Sequence, residues 1–263
     1  MYETILYEIS GSVAQLTMNR PDKYNAFTGQ MLEEMSSALK KAARDEEVRC
    51  ILLTGAGKAF NAGQDLGDVL GADTQETASS HGEVLRKRYN PLIMQICKME
   101  KPVIAVINGA AAGAGMSIAL ACDLRIMSEK AYFVNAFVSI GLVPDSGGCY
   151  FLPRLVGLGK AMELSITGER ISAEEAYRIG LANRVCSAEQ FSAEAGQLAA
   201  KLAQMPTRAI GLIKRTMHKG LDMSLAQVLE YEAYAQEIAG NTEDHREGIQ
   251  AFLEKRLPLF KGV

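Results

Sequence analysis

Two unbroken apolar runs, Cys50-Ile51-Leu52-Leu53-Thr54 and Val103-Ile104-Ala105-Val106-Ile107, constrain this fold more than any other feature. Neither alternates, and each ends in glycine or small residues, so both read as strands buried on both faces. Before them, residues 2–19 read as two strands joined at Gly11, and Leu32, Met35, Leu39 and Ala42 mark one face of a helix over 29–44. Asp65 to Met99 starts polar and becomes helical, with Pro91 near the helix start; the conformation of 67–85 is left open. The small-residue stretch Asn108 to Gly115 opens a helix over Ser117 to Cys122, and a strand follows at Leu124 to Met127. From Ala188 the pattern is helical, near 188–203, 206–218, 224–238 and 242–254. At 263 residues, one α/β core (1–187) plus a helical appendage (188–263) fits better than two equal domains.

Charge and cysteine usage exclude several functions. A net charge of -3 and a pI near 5.8 supply no basic field, so neither nucleic acid nor a membrane surface is an expected partner. An anionic ligand must be gripped locally. Five scattered cysteines without a C-x-x-C pair suit a reducing compartment, and the start of the chain lacks a basic, apolar leader, so a cytoplasmic protein is expected. His81, His218 and His245 lack ligand spacing, and no metal site is expected.

Two small-residue stretches carry the chemical signal: Phe60-Asn61-Ala62-Gly63-Gln64-Asp65, and Gly109 to Gly115 with Gly113-Ala114-Gly115 at a helix start. Small side chains let a ligand reach the backbone, and free N–H groups at a helix start favour negative charge. Two such groups converging on one carbonyl oxygen would form an oxyanion hole. Either stretch alone reads first as a close-packing turn.

Asn19-Arg20-Pro21-x-Lys23-x-Asn25-Ala26, Lys58-Ala59-Phe60-x-Ala62-Gly63-x-Asp65, Lys101-Pro102-Val103-Ile104-Ala105 with Asn108-Gly109, and Gly113-Ala114-Gly115 through Cys122-Asp123 together resemble the enoyl-CoA hydratase/isomerase (crotonase) superfamily across essentially the whole chain. The resemblance implies a ClpP-like spiral of ββα units with a helical C-terminal trimerisation region, assembling as homotrimers or homohexamers. It implies an acyl-CoA thioester as substrate and no cofactor beyond its coenzyme A moiety. The thioester oxygen would lie between the N–H groups of Gln64 and Ala114. Lys23, Ala26, Lys58, Ala62, Asp65 and Leu66 would line the coenzyme A channel, and Phe252 and Lys255 in the tail would reach it. Solvated surface lysines, and a helix-capping Asp65, are the plainer readings of these residues.

Family hydratases use two glutamates, and those positions hold Ser117 and Phe137 here. Neither can act as a carboxylate base. Asp145, in Leu142-Val143-Pro144-Asp145-Ser146-Gly147-Gly148, is the available carboxylate, although the same turn could use it to cap the next helix. Similarity of Asn135 to Asp145 to isomerases of the superfamily implies isomerisation of a ring-epoxide or 3-enoyl thioester, with Ser117, Phe137 and Val143 lining the pocket. Burial among Phe137, Ile140, Leu142 and Val143 would raise the aspartate's pKa. A dehalogenase reading lacks its tryptophan, since the chain has none. A dienoyl-CoA isomerase, a hydratase-like enzyme and a non-catalytic acyl-CoA-binding protein remain alternatives.

Overall fold

The computed structural model describes residues 2–67 and 80–263. β1 (Ile5–Ser10) and β2 (Val13–Met18) pair antiparallel across Gly11, whose φ of +56° suits a residue without Cβ. β2 then runs parallel to β3 (Cys50–Gly55), β3 to β5 (Val103–Ile107), β5 to β7 (Leu124–Ser128) and β7 to β10 (Arg184–Cys186). The six-stranded order is β1-β2-β3-β5-β7-β10. A smaller sheet contains β4 (Ala59–Asn61), β6 (Ala110–Ala112), β8 (Tyr132–Val134) and β9 (Arg170–Ser172), in that order.

The unbroken apolar runs follow from what covers the large sheet. Side chains alternate along a strand. Ile51, Leu53, Val103, Ala105 and Ile107 join a core that includes Met31, Leu32, Met35 and Leu39 of α1 (Gly29–Arg44). Cys50, Leu52, Ile104 and Val106 face the opposite way and pack with Phe191, Ala195, Leu198 and Ala199 of α8 (Phe191–Ala203). The first helix of the 188–263 region thus lies against the sheet.

The strands β3, β5 and β7 are each followed by a short one in the second sheet and then by helix. β3 and β4 precede a helical segment made of α2 (His81–Val84), a π-helical turn (Leu85–Tyr89) and α3 (Asn90–Lys98). β5 and β6 precede α4 (Ala114–Ala121). β7 and β8 precede a 3-10 turn (Ala136–Ile140), α5 (Gly148–Val156) and α6 (Leu158–Thr167). This repetition is the expected ββα spiral. The short α7 (Ala173–Arg178) separates β9 from β10.

Several expected boundaries need correction. Pro91 stands in the first turn of α3 as expected, but helix already precedes it, since α2 and the π-helical turn run from His81 into α3. α4 starts at Ala114 with Gly113 as its N-cap, inside the Gly113-Ala114-Gly115 stretch expected at a helix start, and it ends at Ala121. Both small-residue stretches contain strand, since β4 and β6 occupy parts of them. Most of the span 67–85 left open by the sequence lies outside the described residues.

The remaining helices are α9 (Thr207–Gly220), α10 (Leu225–Gly240) and α11 (Glu243–Glu254). α9 is tied to the core where Lys214 Nζ meets Asp123 Oδ2 at 2.7 Å, and where Arg208 and Arg215 both reach Glu100 Oε1. Among the described residues no helix is long and apolar enough to cross a membrane.

Candidate active site

The first arm of the site is the loop after β4. Gly63 has φ +93°, and its carbonyl accepts the N–H of Phe27 at 2.8 Å. The N–H of Asp65 returns to the Phe27 carbonyl at 2.9 Å, so both sides of Gln64 are fastened to one residue. A trans peptide sets its N–H opposite its C=O. With the Gly63 carbonyl turned toward Phe27, the N–H of Gln64 must point away from it. Asn61, fully buried, accepts the N–H of Gly63 at 2.7 Å and donates to the Asn25 carbonyl, which stiffens the loop from beneath.

The second arm is the start of α4. The N–H of Ser117 donates to the Gly113 carbonyl at 3.0 Å, so the Gly113–Ala114 peptide aligns with the helix and the N–H of Ala114 projects from its end. Gly113 reaches this geometry with φ +52° and ψ -125°, where a side chain would be strained. The two arms adjoin: a Cβ built on Gly63 would lie 3.7 Å from the nitrogen of Ala114. Likewise, a Cβ on Gly115 would fall 2.6 Å from both Asn61 O and Asn61 Oδ1, so glycine is what lets α4 approach β4. Neither the Gln64 nor the Ala114 N–H donates to a main-chain carbonyl among the described residues. Two adjoining, uncommitted amides can stabilise negative charge on one oxygen.

Around this pair stand the predicted pocket residues. Phe137 is buried, its ring end 3.9 Å from a Cβ built on Gly113. Ser117, also buried, has its Oγ 2.9 Å from a Cβ built on Gly148, which joins the first turn of α4 to the 144–148 turn. Asp145 is half-buried in that turn. It is not the cap of α5, whose N-cap is Gly147 without a side-chain bond. Its Oδ1 accepts the Ser146 hydroxyl at 2.9 Å, and Ser146 is held buried in the left-handed region at φ +50°. Burial pushes the Asp145 carboxyl above the ordinary aspartate value, while the Ser146 hydroxyl and the field of His81 oppose that rise. The surroundings differ from expectation. Ile140, Leu142 and Val143 are exposed, Val143 by 77%, so of the four apolar residues only Phe137 is buried.

The other predicted positions fall into two groups. Lys23, Lys58, Ala62 and Leu66 are exposed. Ala26 is buried, and its carbonyl accepts Arg20 Nη1 at 2.7 Å. Ala62 N–H donates to the Tyr24 carbonyl at 3.0 Å, and a Cβ on Gly57 would lie 3.1 Å from Pro21, so the loops bearing Lys23 and Lys58 are neighbours. Asp65 pairs with Arg20 at 2.9 Å and accepts the Gly67 N–H at 3.1 Å, a capping geometry that also fixes the loop after β4. Phe252 and Lys255 belong instead to the tail. Phe252 is 82% exposed at the end of α11, and Lys255 follows in the left-handed conformation at φ +57°. Sequence reasoning missed Tyr89, whose hydroxyl donates to Gln64 Oε1, because nothing local distinguishes it from an ordinary core aromatic.

A ββα spiral with two adjoining outward amides, and with the helix that bears one of them packed through Ser117 against the turn of a half-buried carboxylate, defines a crotonase-type protein. The enoyl-CoA hydratase/isomerase family model matches residues 8–263, and the chain belongs to that family of enzymes. It is 42% identical over 262 residues to the 1,2-epoxyphenylacetyl-CoA isomerase of Escherichia coli K12, covering 100% of each chain. A short-chain-enoyl-CoA hydratase of Clostridium acetobutylicum is 36% identical, over 96% of this chain and 95% of that one. The crystal structure of an enoyl-CoA hydratase from Bacillus anthracis superposes with a TM-score of 0.91 at 34% identity, covering 99% of this chain and 100% of that one.

Proposed function

We propose that this enzyme isomerises acyl-CoA thioesters, with Asp145 as its acid–base group and the Gln64 and Ala114 amides as its oxyanion hole. Ring-1,2-epoxyphenylacetyl-CoA and 3-enoyl-CoA are the proposed substrates. The observation that carries this reading is the carboxylate at 145, freed from capping and set in a turn packed against Ser117. Ser117 and Phe137 offer no second carboxylate, which disfavours activation of a water by paired glutamates. In 3-enoyl isomerisation Asp145 takes a proton from C2 as electrons shift to the thioester oxygen. The two amides hold that enolate. The protonated carboxyl then returns the proton at C4, leaving the double bond between C2 and C3. A raised carboxyl pKa suits both halves of this exchange. In the epoxide case the same hole would stabilise charge drawn onto the thioester during ring opening, with similarity to the Escherichia coli isomerase as support.

The reading places the coenzyme A moiety along Lys23, Ala26, Lys58, Ala62, Asp65 and Leu66 and needs no other cofactor. It also places the protein in the cytoplasm as a homotrimer or homohexamer through residues 188–263. Exposed Phe252, Leu253, Leu257 and Leu259 are apolar surface suited to burial between subunits, where Phe252 and Lys255 would meet a neighbour's coenzyme A.

The decisive experiment is Asp145→Asn assayed with 3-enoyl and ring-epoxide thioesters. Turnover should fall by at least about 100-fold while acyl-CoA binding, followed by calorimetry, stays within about threefold. Retained turnover would remove Asp145 from the mechanism.

A further inference from the structure

The π-helical turn delivers Tyr89 to the loop that carries one proposed oxyanion donor. A π turn holds more residues than an α turn, so it resets which side chains face inward downstream. Here it ends at Tyr89, which is only 3% exposed. The Tyr89 ring stands edge-on to Phe27, with centroids 5.9 Å apart and an interplanar angle of 83°. Phe27 is the residue whose main chain brackets Gln64. The Tyr89 hydroxyl donates to the side-chain carbonyl of that same Gln64. Ring and hydroxyl therefore hold the Gln64 peptide from two directions.

We infer that Tyr89 is a positioning residue for the Gln64 arm, acting through the Gln64 side chain to keep the backbone N–H aimed at the thioester oxygen. The inference rests on the proposed oxyanion hole. Gln64 follows Gly63, which has no Cβ to restrict the peptide between them. The Gln64 N–H shares a peptide with the Gly63 carbonyl, so a tilt of that peptide about its single hydrogen bond to Phe27 would re-aim the donor, and a tether on the Gln64 side chain resists that tilt. The phenol removes that freedom before substrate arrives, so ordering is not charged to the transition state.

Tyr89→Phe tests this, since it keeps the ring on Phe27 and deletes only the donor. The isomerase assay should show kcat reduced by roughly three- to tenfold, the size of one neutral hydrogen bond, with KM changed less than about twofold. The second readout needs no turnover: the infrared carbonyl stretch of a saturated acyl-CoA labelled with carbon-13 at the thioester, bound to wild type and variant. Its frequency should rise in the variant as polarisation weakens. In a Gln64→Leu background, Tyr89→Phe should add nothing to either readout. An unchanged carbonyl stretch in Tyr89→Phe, or an equal effect with and without the Gln64 side chain, overturns the inference. Failure of the isomerase reading itself would show differently, as Asp145→Asn that still turns over or as wild type inert toward both thioesters.

Discussion

Single residues in this site act mainly by what they permit. Gly115 permits close approach: Gly115→Ala puts a methyl group against Asn61 backbone and side chain, at a cost of about 1–3 kcal/mol by thermal or urea melting. Because the displacement separates the two amides, kcat should fall as well. Asp145 makes the opposite kind of contribution, being costly to the fold and, in the proposed mechanism, useful to the reaction. Its folded pKa lies above the unfolded value, so the stability contributed by its protonated form is full below the unfolded value and is lost as pH rises through the folded one. Asp145→Asn should therefore melt at or above the wild-type temperature at pH 7, in the same variant that loses turnover. As a base the carboxylate must be ionised, so the acid limb of the kcat/KM profile should lie above the ordinary aspartate value of about 3.9. The sequence made Asp145 visible as a candidate but not its surroundings, because the exposure of Leu142 and Val143 depends on chain path rather than on composition.

At the scale of elements, sequence legibility followed length. α1 is long enough to display its period, the runs beginning at Cys50 and Val103 are long enough to read as strands covered on both faces, and the structure places all three where the pattern does. β4, β6, β8 and β9 have three residues each, too few for any alternation, and two of them lie among alanines and glycines that read as turn. The π-helical turn was equally hidden, since a helical face that slips by one residue has no compositional mark. Among tertiary ties, α9 depends on the Lys214–Asp123 pair, largely buried on both sides, where Asp123 Oδ2 also accepts the Val103 N–H at 2.7 Å. Lys214→Met should cost about 3 kcal/mol in urea denaturation by leaving that carboxylate unpaired, and a second change, Asp123→Asn, should recover part of it.

For the whole molecule, the question is how the polypeptide's two ends of structure are joined. Asp244, 3% exposed, accepts the N–H groups of Lys261 and Gly262, and Arg49 beside β3 reaches the Phe260 and Met205 carbonyls and Thr207. Residues 260–262 thus fold back onto the sheet region. Asp244→Ala should cost about 1–3 kcal/mol and leave this segment open to carboxypeptidase, followed by mass spectrometry. Glu247, held down to about 2 by Arg256 and the Leu259 N–H, adds a tie that is full above the ordinary glutamate range and lost as pH falls through about 2. The exposed apolar side chains near the tail predict sedimentation as an oligomer rather than as a 28.5 kDa monomer, and Phe252→Asp together with Leu257→Asp should shift the distribution toward the monomer.

In the proposed oxyanion hole both charge-stabilising groups belong to the main chain, at Gln64 and Ala114. An alanine scan cannot delete either donor, and at position 114 it changes nothing at all. Replacing the amide by an ester linkage at either position would subtract the hydrogen while preserving every side chain, so chemical synthesis can interrogate what genetics alone leaves untouched.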